Sequence, residues 1–152
     1  RGSAHQGLQE YQAPVEYGRS EIIRKGKKIA VLGVGSMIPS CMEICKGLKD
    51  DGYDPTFVNA RFVKPLDVDL LDELAKDHSL FVTVEENVKS GGYGEHVSAY
   101  MEACHPEIRV LSAAVWDRFV PQGNVESLRS RIGLGVEDIR QAIEDSEELR
   151  EQ

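Results

Sequence analysis

Short, nearly continuous apolar runs alternate along this chain with stretches in which apolar residues recur at helical spacing. The runs at 29–34 (IAVLGV), 56–62 (TFVNARF), 79–87 (SLFVTVEEN) and 108–115 (IRVLSAAV) have the length of strands, and a near-continuous run suits a strand covered on both faces. A shorter strand is predicted at 20–24 (SEIIR), closed by a Lys-Gly turn. Pro39 fits the first turn of a helix that runs to about Asp51 and stops before Gly52. Val68, Leu70, Leu71 and Leu74 define the next helix, over DVDLLDELAKDH, with Asp67 as its N-cap. A glycine-rich loop at 90–94 leads into a helix near 94–104, and two more helices are predicted near 124–131 and 136–150, separated by Gly133 and Gly135. Residues 1–18 carry no sustained period and read as a linker or arm, leaving 19–152 as the domain.

Strand–helix alternation with short links predicts an α/β fold. The expected architecture is a three-layer α/β/α sandwich around a largely parallel sheet, with right-handed crossovers placing helices on both faces. The chain of 152 residues is 41% hydrophobic and 29% charged, which is globular composition and enough for one sizeable core. Its net charge is −8, and no Lys/Arg cluster falls on one predicted face, which argues against nucleic acid or an acidic membrane surface as partner. No apolar run approaches the roughly 20 residues that span a bilayer, and no signal-peptide pattern is present. Three cysteines without framework spacing suit a reducing, cytoplasmic setting.

Several groups invite a chemical reading. Gly33-x-Gly35-Ser36 sits between a strand and a helix, where amides attract anions, but no glycine stands where a dinucleotide fingerprint has its third, and Pro39 follows directly. The two readings are a tight turn that needs small residues and a true anion site. Glu85 and Glu86 are adjacent at a strand's end and therefore point to opposite faces, so they cannot flank one reacting bond. One is expected to cap the following loop through its N–H groups and the other to face solvent. Cys41 and Cys45 share a helical face, yet a structural zinc needs four ligands, and Cys104 and His105 are too distant in sequence to complete a recognised motif. They read as core thiols. His5, His78, His96 and His105 lie in no metalloprotease or triad context, with His96 alone adjoining the glycine-rich loop. Trp116 and Phe119 read as an aromatic anchor in the core or at a subunit interface. On its residues alone, the chain is an α/β domain without a self-sufficient catalytic set. No catalytic, cofactor-binding or metal-binding residue is assigned.

The segments GKKIAVLGVGSM, FVNARFVKPLD, FVTVEENVKSGGYGEHV and DRFVPQG…GLGVEDI occur in the order and spacing of one family. The chain resembles, over roughly residues 18–145, the C-terminal domain of the 1-deoxy-D-xylulose-5-phosphate synthases, thiamine-diphosphate enzymes of the transketolase superfamily. The resemblance implies a five-stranded, mostly parallel sheet with one antiparallel strand, for which 20–24 is the candidate. It also implies a parent enzyme that condenses pyruvate with glyceraldehyde 3-phosphate, releasing carbon dioxide, in the supply of isoprenoid, thiamine and pyridoxal precursors. Thiamine diphosphate and Mg²⁺ would be held by upstream domains, which carry the catalytic histidines and the activating glutamate. The implied partners are those upstream domains of the same chain and a second copy in a cytoplasmic homodimer. This chain by itself is expected to be inactive and to bind neither group.

The same resemblance gives Arg1 two readings. In the family a Pro-Arg-Gly segment ends the middle domain, and its arginine binds the substrate phosphate. Arg1-Gly2-Ser3-Ala4 reads either as the tail of that segment or as a cloning scar, and the chain either as a domain cut out deliberately or as a proteolytic remnant. One departure stands out: where the family often has Gly-x-Pro-Asp, this chain has Ala114-Val115-Trp116-Asp117. Two alternatives remain open on the sequence: another superfamily member, such as a transketolase or a 2-oxoacid dehydrogenase β subunit, and a stand-alone anion-binding α/β module.

Overall fold

A computed structural model describes residues 18–61, 65–86, 92–115 and 135–151. Its elements run β1 (Glu21–Arg24), β2 (Lys28–Gly33), α1 (Ile38–Asp50), β3 (Thr56–Asn59), α2 (Val68–Ala75), β4 (His78–Glu86), α3 (Tyr93–Cys104), β5 (Arg109–Val115) and α4 (Val136–Glu151). The predicted helix near 124–131, together with Trp116 and Phe119, lies outside the described residues.

The five strands form one sheet in the order β1-β3-β2-β4-β5. β2 pairs in parallel with β3 and β4, and β4 with β5, while β1 runs antiparallel against β3 with Glu21 opposite Asn59. The short first strand is thus the antiparallel one, as expected. Because strand residues alternate between faces, β2 divides its side chains between two cores. Ile29 and Val31 join Ile44 and Leu48 of α1 and Ile139 and Ile143 of α4 on one face. Ala30 and Leu32 meet Leu71 and Leu74 of α2 and Val97 and Met101 of α3 on the other. Covering both faces is what makes the central strands read as continuous apolar runs.

Two elements are shorter than their patterns suggest. β3 ends at Asn59 because Arg61 takes a left-handed backbone, φ 63°, and gives its amide to the Asn59 side chain. Ala60 still donates to Gly33 O at 2.8 Å, so the ladder is released at one residue rather than frayed. α2 ends at Ala75 because Leu74 O is taken by Asp77 N and by the ring of His78, which then opens β4. His78 is buried, with Nδ1 2.8 Å from Leu74 O and Nε2 2.7 Å from Thr56 Oγ1. Nδ1 also lies 2.6 Å from Asp77 Oδ1. Leu74 O can only accept, so the ring carries its proton on Nδ1, and Nε2 accepts from Thr56 Oγ1, which itself accepts the Gly26 amide.

Candidate functional site at the carboxyl end of the sheet

Ligands of open α/β sheets bind beyond the carboxyl ends of the parallel strands, where loops and helix N-termini converge. Here that end is marked by Gly33, Asn59 and Glu86. β2 passes through a 3₁₀ turn, Gly35–Met37, into α1, whose first turn holds Pro39. A Cβ on Gly33 would stand 2.6 Å from Cys41 Sγ, so the glycine is required by the approach of α1 to β2. Gly35 has φ +54°, which supplies the turn. Met37 N donates to Val34 O and Ile38 N to Gly35 O, spending within the turn two amides that an anion would need. This geometry is that of the tight turn.

Glu85 and Glu86 divide as their alternation requires. The Glu85 carboxylate accepts from Tyr93 N at 2.9 Å and Gly94 N at 2.8 Å, one oxygen on each of the first two amides of α3, while Glu86 lies on the exposed side. A carboxylate is stabilised at a helix N-terminus by the free N–H groups and the dipole. The anion position of α3 is therefore filled by the protein itself. Gly94 lets this happen: a Cβ there would stand 2.8 Å from both Glu85 Oε2 and Thr83 Oγ1 and 3.0 Å from Ser112 Oγ. Among the described residues, Thr83 Oγ1 and His96 Nε2 are buried and meet no hydrogen-bond partner. Burial pushes the Tyr93 phenol above its ordinary range, with Asp67 and Glu85 adding to the shift, so Tyr93 is a neutral packing residue here.

The remaining candidates disperse. Cys41 and Cys45 are buried in the core against β2, and burial raises both thiols, Cys45 to about 12. Metal ligation requires thiolates, which this environment disfavours. Cys104 is exposed at the end of α3, and His105 donates through Nε2 to Asp72 Oδ1 at 2.7 Å, the same oxygen that receives Tyr100 Oη–H at 2.7 Å. These two hydrogen bonds lower the Asp72 carboxyl from its ordinary value and tie α2 to α3. Among the described residues no His, Cys, Asp and Glu grouping has metal-ligand geometry, and no helix is long and apolar enough to cross a membrane. Arg1 and His5 lie outside the described residues.

Sequence reasoning missed the oxygen cluster around Gly94 and the Asp72–Tyr100–His105 network. The first had a signal: glycine in the opening turn of a helix costs stability unless another group must approach closely. The second joins residues 28 and 33 positions apart and left no periodic trace.

Comparison with known proteins places these features. A family model described as the transketolase C-terminal domain matches residues 18–139. The chain is 38% identical over 140 residues to the 1-deoxy-D-xylulose-5-phosphate synthase of Lachnoclostridium phytofermentans, covering 91% of this chain and 22% of that protein. The synthase of Dictyoglomus thermophilum is 39% identical over 137 residues, covering 90% and 22%. The chain thus spans about a fifth of the length of the curated relatives it matches. A solved split-gene transketolase, captured as an inactive β4 tetramer, superposes with a TM-score of 0.71 at 28% identity over 89% of this chain and 45% of that one.

Proposed function

Since the chain belongs to the family of transketolase C-terminal domains, we propose that it is the C-terminal domain of a 1-deoxy-D-xylulose-5-phosphate synthase. The parent would convert pyruvate and glyceraldehyde 3-phosphate to 1-deoxy-D-xylulose 5-phosphate and carbon dioxide, feeding isoprenoid and thiamine synthesis. The observation that carries this reading is the pair of synthases at 38% and 39% identity, each covering nine-tenths of the chain. In this reading residues 1–18 are the linker and 19–152 the domain, which supports a cytoplasmic homodimer.

The described residues offer thiamine diphosphate and Mg²⁺ no cradle. The start of α3 is filled by Glu85, the amides of Met37 and Ile38 are spent in their turn, and no acidic grouping has metal geometry. In this reading both groups are held by preceding domains, and no step of the reaction is assigned to residues here. Transketolase-type chemistry on a ketose donor is the competing activity, and the full-length gene product decides between them. Turnover of pyruvate with glyceraldehyde 3-phosphate, dependent on thiamine diphosphate and Mg²⁺, is expected; turnover of ketose donors instead would overturn the reading. Calorimetry on the 152-residue chain should show no binding of thiamine diphosphate at micromolar strength. Arg1 is proposed to bind the substrate phosphate: Arg1→Ala in the full-length enzyme would raise KM for glyceraldehyde 3-phosphate and leave KM for pyruvate unchanged.

A further inference from the structure

Because β1 is antiparallel, its first residue lies at the carboxyl end of the sheet, opposite Asn59 of β3. The chain therefore comes into the domain at that end, and it is fastened there at several points. Asp67 is buried and uses its two carboxylate oxygens separately: Oδ1 accepts Leu70 N at 3.2 Å, capping α2, while Oδ2 accepts Ser20 N at 2.7 Å. Ser20 Oγ donates to Ala60 O at 2.9 Å. Arg19 lies 3.0 Å from Asp69 Oδ2 and 3.6 Å from Asp67 Oδ1. Gly18, at φ +75°, passes so close to Pro65 that a Cβ would stand 2.9 Å from Pro65 Cγ. Next along the chain, Glu21 pairs with Arg61, the residue whose left-handed backbone ends β3.

A helix cap needs only one acceptor, which serine supplies as well as aspartate. The second oxygen of Asp67 and the glycine at 18 have no part in capping. We propose that the Asp67 corner is an anchor that fixes the direction from which the preceding polypeptide meets this domain. Asp67 is a positioning residue: in the synthase, a reading on which this inference rests, it would orient the C-terminal domain relative to the one before it. The anchor spans roughly 50 residues of sequence, from Gly18 to Asp69, and is made before β1 begins. A partly buried, charge-assisted bond such as that from Ser20 N is stronger than a neutral one, and losing it leaves an unpaired amide at 20.

The test separates the two oxygens. Between residues 2 and 24 trypsin has two sites, after Arg19 and after Arg24, and the first reads the anchor directly. Asp67→Ser is expected to speed cleavage after Arg19, and exchange of the Ser20 amide, by tenfold or more. Leu70 amide protection is expected to survive in Asp67→Ser and to fall in Asp67→Ala. Gly18→Ala should speed the same cleavage without touching α2. Unchanged cleavage and Ser20 exchange in Asp67→Ser would overturn the anchor, as would acceleration at 20 only together with the amides of β3. These readouts involve neither pyruvate nor cofactor, so they fail independently of the synthase assignment. For the orienting role, paired spin labels on this domain and the preceding one in the full-length chain should give a broadened distance distribution in Asp67→Ser. An unbroadened distribution would overturn it.

Discussion

Glu85 accepts from two successive amides at the start of α3, so replacing it removes a charged cap and strands two N–H groups. Glu85→Ala is expected to cost about 1–2 kcal/mol in urea unfolding at neutral pH, and Glu85→Gln less, since one acceptor remains. Glu86→Ala should change stability little. That division was legible in the sequence, because neighbours in a strand must face opposite ways; which glutamate caps was not, because only the three-dimensional path to residue 93 decides it. The cysteines give a second test at this scale. Thiol reagent at pH 8 should modify Cys104 in the native protein and all three cysteines after unfolding. The sign of the pH dependence follows from the same burial. Cys45 has its thiol raised from 9.0 to about 12 in the folded chain, so the folded state holds its proton more tightly than the unfolded state does. Its contribution is intact below about pH 9 and is lost as pH rises from there towards 12, at up to about 1.4 kcal/mol per pH unit. Cys41 acts in the same direction. Unfolding midpoints measured from pH 8 to 11 should fall accordingly, and less steeply in Cys45→Ala than in the parent.

Helix α4 is held to α1 by Ile139 and Ile143 in the core and by Arg140 on the outside. Arg140 pairs with Asp51 at the end of α1 and, within its own helix, with Glu137 at 2.6 Å and Glu144 at 2.7 Å. Its stem crosses α1 at Gly47, where a Cβ would collide with Arg140 Cδ. Glycine within a helix is otherwise unfavourable by about 1 kcal/mol relative to alanine. Gly47→Ala should therefore stabilise the protein by that order in an Arg140→Ala background and give no gain, or a loss, when Arg140 is present. A double-mutant cycle reads the difference directly. At this scale most of the fold was legible: strands buried on both faces and amphipathic helices announce themselves by period. The shortened β3 was not, because TFVNARF continues a strand pattern through Arg61, and only its pairing with Glu21 and its left-handed backbone show the chain turning away. Asp67 was legible as a cap, but not as an anchor for residue 20, since 47 residues separate the partners.

Among the described residues the sheet separates two cores, each closed by a pair of helices, and α4, the last of these elements, closes the first of them. Burying two isoleucines stabilises by about 3–6 kcal/mol, a large share of the 5–15 kcal/mol typical of a domain. Truncation before Gly135 should abolish cooperative thermal unfolding and produce strong binding of a hydrophobic dye, whereas cooperative melting of the truncated chain would show that α1 and the sheet suffice. Arg109 strengthens this closure from the opposite end of the sheet, bonding Ser146 O at 2.9 Å and Glu147 at 3.2 Å. His78 joins the whole at one point, touching the β1–β2 turn through Thr56 and Gly26, the end of α2 through Leu74, and β4 through its own backbone. Most free imidazoles carry their proton on the other nitrogen. A ring locked with hydrogen on Nδ1 and sealed from water should give a slowly exchanging, downfield proton resonance, and its nitrogen shifts should mark the less common tautomer. That single line in a spectrum would report closure of the domain without any added probe.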